Sequence, residues 1–68
     1  MINVNKLKGC MAEKGRNGQD MAKVIGKTPK TFYNKMKVGV FDSDEIEAMV
    51  RDLEIKNPVE IFFTELVT

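Results

Sequence analysis

The segment from Asn17 to Lys37, NGQDMAKVIGKTPKTFYNKMK, constrains this chain more than any other, because it is punctuated as two short helices around one tight turn. Met21, Ala22, Val24 and Ile25 give the first helix an apolar face. Asn17 can accept bonds from the unpaired N–H groups of its first turn. Gly26 stands where a chain leaving a helix needs a left-handed residue, which glycine adopts without a Cβ clash. Thr28 then supplies a capping hydroxyl, and Pro29 fits the first helical position, where no N–H partner is needed. Phe32 and Met36, four apart, give the second helix one buried stripe, while Lys30, Thr31, Tyr33, Asn34, Lys35 and Lys37 occupy its other faces.

The flanking sequence predicts three more helices. Val4, Leu7 and Met11 recur at helical spacing with Cys10 alongside, which predicts an amphipathic helix from Asn3 to about Lys14, capped by Asn3 and ended by Gly15. Val38-Gly39 breaks the motif's second helix. Asp42 followed three residues later by Glu45 has the form of a capping box, and Ile46, Met49, Val50 and Leu53 repeat behind it, predicting a helix from Ser43 to about Glu54. Phe41 is placed either to staple onto Ile46 or to pack beneath the preceding helix. Asn57-Pro58-Val59-Glu60 is another start signal, with Asn57 as cap, for a short helix through Phe62 or Phe63. The tail Phe63 to Thr68 alternates and is rich in strand formers, so extended and helical readings both stay open there. The expected fold is a single all-α domain over residues 1–68, a compact bundle of four to five helices.

Net charge is only +1, but it is unevenly spread. Met1 to Lys37 carries nine Lys or Arg against two acids, Glu13 and Asp20; Val38 to Thr68 carries two, Arg51 and Lys56, against eight acids. One strongly basic half can lie on phosphates while the acidic half faces away or meets a partner. Other functions fare poorly. The chain has no histidine and one cysteine, Cys10, so the usual zinc sets, histidine-based catalysis and an internal disulfide are not expected. The carboxylates fall mainly at caps and solvent-facing positions, and no phosphate loop or nucleophile motif occurs, so neither an enzyme, a cofactor nor a small-molecule ligand is expected. No apolar run approaches the roughly 20 residues of a membrane span, and the start of the chain lacks a signal-peptide pattern. A cytoplasmic protein is the expectation.

At Ala22, Gly26 and Phe32 the chain resembles the helix-turn-helix of the Cro and phage-repressor family: a small residue where the helices touch, a glycine four residues on in the turn, and an apolar residue six further. The run TFYNKMKVGVFDSDEIEAMVRDLEI followed by PVEIFF is similar to small phage-associated repressors of Gram-positive bacteria in that family. The resemblance implies a lambda-repressor-like bundle acting in a bacterial host on operator DNA. The short chain without a second domain leans toward a Cro-like regulator rather than part of a larger repressor. It departs from the family at Gly18, where glutamine is usual, and at Lys35, where many members bury an aliphatic side chain; Met36 is expected to close the core instead, with the Lys35 stem covering its edge.

The resemblance implies that the helix begun at Pro29 enters the major groove. Thr28, Pro29, Lys30, Thr31, Tyr33 and Asn34 are then the candidate base contacts: Lys30 toward guanine, Asn34 toward adenine, the threonine methyls toward thymine, and Pro29 through apolar contact alone. Tyr33 has a second reading, packing against Phe41. Asn17, Gly18, Gln19, Lys23, Lys27, Lys35 and Lys37 are the candidate phosphate contacts. Phe62, Phe63, Leu66 and Val67 form the candidate homodimer surface, or else close the core. The rival to DNA binding is a protein-interaction module, such as an antirepressor, presenting the acidic half or the Phe62 to Val67 end.

Overall fold

The computed structural model describes residues 2–63, so Leu66 and Val67 of the candidate dimer surface, and the choice between helix and strand for the tail beyond Phe63, lie outside the described residues. The described residues form five helices: α1 Val4–Glu13, α2 Gly18–Ile25, α3 Pro29–Val38, α4 Ser43–Leu53 and α5 Pro58–Phe62. The fold is an all-α bundle, with no strand among the described residues. No described helix is long and apolar enough to cross a membrane.

Local chemistry sets these boundaries. Asn3 caps α1, its side-chain oxygen accepting the Lys6 N–H at 3.1 Å. Thr28 caps α3 through the Thr31 N–H at 3.2 Å, with Pro29 in the first turn. Gly26 ends α2 at φ 72°, letting the Lys27 N–H turn back onto the Ala22 carbonyl at 2.9 Å. α4 ends without a glycine: Glu54 takes the left-handed conformation itself, at φ 52°. One expected cap is absent. Asn57 precedes α5 but makes no side-chain cap bond, so Pro58 and packing hold that start, and Glu60 pairs with Lys6 at 3.4 Å.

One apolar cluster unites the helices. Leu7 and Met11 from α1, Met21, Ala22 and Ile25 from α2, Phe32 and Met36 from α3, Met49 and Leu53 from α4, and Ile61 and Phe62 from α5 are all buried together with Phe41. Ala22 is 1% exposed, and α2 packs against both α3 and α4. Met36 closes the core as expected. Phe41 packs beneath α3, its ring centroid 5.7 Å from that of Phe32. Phe62 is a core residue at 3% exposure, so of its two expected roles it takes core closure and not the dimer surface; Phe63 is exposed. Cys10 is half-buried at the edge of the cluster and carries a free thiol. The first and last helices are tied by the Asn3 N–H, which donates to the Ile61 carbonyl at 2.6 Å.

Candidate nucleic-acid interface

The exposed side of α3 follows from its apolar stripe. With Phe32 and Met36 turned into the core, Pro29, Lys30, Tyr33 and Asn34 are left on the surface, with Thr28 just ahead of the helix. Thr31 is only half-exposed, and its hydroxyl oxygen accepts from the Thr28 hydroxyl at 3.0 Å. Both threonines are therefore partly occupied in starting the helix. Tyr33 is 53% exposed, and its ring meets Phe32 edge-on at 5.8 Å. Phe32, not Tyr33, takes the contact with Phe41. Tyr33 instead lies across Gly18 at the start of α2, where a Cβ on residue 18 would sit 2.0 Å from the tyrosine hydroxyl oxygen. A glutamine at position 18 would collide with the Tyr33 ring.

Three of the candidate phosphate contacts are changed by their surroundings. Gly18 is buried under Tyr33, so its backbone is not open to a phosphate. Asn17 accepts the Asp20 N–H at 2.9 Å, while the Asp20 carboxylate accepts the Asn17 N–H at 3.0 Å, completing a capping box. The positive end of α2 already holds an internal anion, which disfavours a phosphate at Asn17. The signal for this lay in the Asn-x-x-Asp spacing. Gln19 remains exposed.

Lys35 is the third correction. Its ammonium lies 2.9 Å from a Glu45 carboxylate oxygen and 3.7 Å from Asp42, so it joins α3 to α4 instead of pointing at solvent. Glu45 is 4% exposed; the same oxygen accepts the Asp42 N–H at 2.8 Å, and its other oxygen has no hydrogen-bond partner. Burial pushes the Glu45 carboxyl pKa up, but the Asp42 N–H, the Lys35 ammonium and the nearby charge of Lys27 outweigh it, leaving the pKa below its ordinary value. The Lys35 pKa is raised, chiefly by its bond to Glu45. A glutamate three residues past a cap announces a capping box, but not that it is buried and shared with α3.

The remaining cations separate into two groups. Lys6 pairs with Glu60, Lys14 with Glu54, and Arg16 with Asp52 through contacts of 3.0 and 3.2 Å. Much of the charge asymmetry is therefore absorbed where the basic first part of the chain meets the acidic helices. Lys8, Lys23, Lys27, Lys30, Lys37 and Lys56 are exposed and have no carboxylate partner among the described residues, while Arg51 pairs with Glu47 within α4. All but Lys56, which stands between α4 and α5, lie on α1, on α3, or on α2 and the turn following it. Lys8 was not among the expected contacts, although Val4, its neighbour one helical turn earlier, placed it beside the apolar stripe. Comparison with protein-family models, curated proteins and solved structures finds no match to this chain.

Proposed function

We propose that this protein is a sequence-specific double-stranded DNA-binding regulator of transcription, of the Cro or phage-repressor kind. Its α3 enters the major groove, and two copies bind a pseudo-palindromic operator. The observation that carries this reading is the sorting of cations: those toward the acidic helices are paired except Lys56, and the other five free among the described residues lie on or around α3. A solvated surface with no anionic partner has no reason to segregate its charges this way, whereas a surface meeting phosphates does.

Lys30 and Asn34 are the readers of base edges, through guanine O6 and N7 and adenine N6 and N7 respectively, with Pro29 and the threonine methyls adding apolar contact. Lys23, Lys27, Lys37 and Gln19 hold register on the backbone. Two copies would place their α3 helices about 34 Å apart, matching half-sites one DNA turn apart. Selection of bound duplexes from a random pool tests the whole reading, because it returns half-site, symmetry and spacing together. Lys30→Ala and Asn34→Ala should then each cost roughly 1 to 3 kcal/mol on the selected site and relax the preference at particular base pairs. A pool that yields no enriched motif, or equal losses on selected and random DNA, would refute it.

A further inference from the structure

Beside the exposed side of α3 lies an open notch of about 370 Å³ between the start of α1 and the later turns of α3. Val4, Met11, Gly18 and Met36 line it with apolar surface, Lys8 and Lys37 stand in its lining from α1 and α3, and Tyr33 completes it. Both lysines lack a carboxylate partner among the described residues, so two positive charges border a largely apolar recess with no internal anion paired to them. An anion entering the recess would meet positive charge from both α1 and α3. The Tyr33 ring, seated over Gly18, brings its hydroxyl to the first turn of α2.

We propose that this notch holds a segment of the DNA sugar-phosphate backbone, with Lys8 and Lys37 on the phosphate oxygens, the Tyr33 hydroxyl as a neutral donor, and the deoxyribose against Met11 and Met36. The recess suits such a unit, because a nucleotide's backbone joins an apolar sugar face to an anion. This deepens the DNA-binding reading and rests on it. It makes α1 a second clamp on the duplex, outside the helix pair, and gives Tyr33 a backbone role in place of base reading. Gly18 is what allows it: any side chain there would displace the ring.

Tyr33 is the chain's one tyrosine and there is no tryptophan, so intrinsic emission reports on this place alone. Anisotropy of labelled selected and random duplexes is followed over a salt series for wild type, Lys8→Gln, Tyr33→Phe, Asn34→Ala and Lys56→Gln, with tyrosine emission followed in all but Tyr33→Phe. Both duplexes should quench Tyr33 in the wild type. Lys8→Gln should weaken both by the same factor and flatten the log–log salt dependence by about one unit per protomer. Tyr33→Phe should weaken both severalfold with an unchanged slope, since a neutral donor releases no counterion. Lys56, exposed in the α4 to α5 connection, should have no effect. If Lys8→Gln matches Lys56→Gln while Asn34→Ala still weakens the selected duplex, the notch assignment is overturned and the DNA-binding reading stands. If the wild type holds neither duplex in a salt-dependent way, both fall.

Discussion

Replacing one free lysine, and separately one paired arginine, by glutamine distinguishes a phosphate-binding surface from ordinary surface charge. Lys8, Lys23, Lys27 and Lys37, the cations assigned to phosphates, flank the exposed side of α3 without carboxylate partners among the described residues. If each neutralises one phosphate, the log–log salt slope is about −3.6 per protomer, and raising salt from about 50 to about 200 mM costs roughly 150-fold in affinity per protomer. Lys37→Gln removes one contact, so its slope should be shallower by about 0.9 and its penalty across that range about 3.5-fold smaller than that of the wild type. Lys27→Gln should remove less, because part of that lysine's field already falls on Glu45. Arg16→Gln should leave the slope unaltered, since its guanidinium is held by both Asp52 oxygens and its pKa is raised chiefly by that hydrogen bond. Fluorescence anisotropy on a labelled duplex at five or more salt concentrations, about as many as a slope requires, gives these values. An unchanged slope for Lys37→Gln, or an equal flattening for Arg16→Gln, would show that pairing does not decide which cations meet DNA.

Three further outcomes test the scaffold. Phe32 is fully buried, so Phe32→Ala should cost about 3 to 5 kcal/mol, comparable with all that so small a core supplies; circular dichroism should show loss of the cooperative melt. Gly26→Ala meets no steric neighbour but inherits a left-handed φ of 72°, so it should destabilise by about 1 to 2 kcal/mol, and Gly26→Asn by less, read as midpoint shifts in urea. Because the folded Glu45 pKa lies below its ordinary 4.5, ionised Glu45 contributes stability in full above that pH and loses it as pH falls through the folded value. Glu45→Gln should therefore be less stable than the wild type at neutral pH, with the gap in melting temperature closing on acidification below about 4.5.

Helix positions were legible in the sequence because they rest on signals a few residues long: Asn3, Thr28 with Pro29, and the glycine at position 26 each act on their own turn. The apolar stripes of α1 and α3 and the burial of Ala22, Phe32 and Met36 could be read for the same reason. Contacts between distant residues could not. Lys35 looked like one more surface lysine until α4 brought Glu45 beneath it, ten residues away in the chain. Tyr33 could be read as a base contact or as packing on Phe41, and its seat over Gly18 is seen only when α2 lies beside α3; Phe62 could be read as core or interface, and the docking of α5 on α1 decides for the core. Apolar periodicity places the end of α4 at about Glu54, but does not reveal that the glutamate itself takes the left-handed conformation. Asp20 is the exception: its reciprocal bond with Asn17 is local and was available from the spacing alone.

The bond between the Asn3 amide and the Ile61 carbonyl reaches beyond the two residues it joins. At five residues, α5 is too short to persist as a free helix, so it exists only while Ile61 and Phe62 stay in the core. Undocking α5 must expose the Asn3 amide to water, and exchange of that single proton times the departure of the last helix from the body. A binding partner that grips α5 would slow that clock without touching α3.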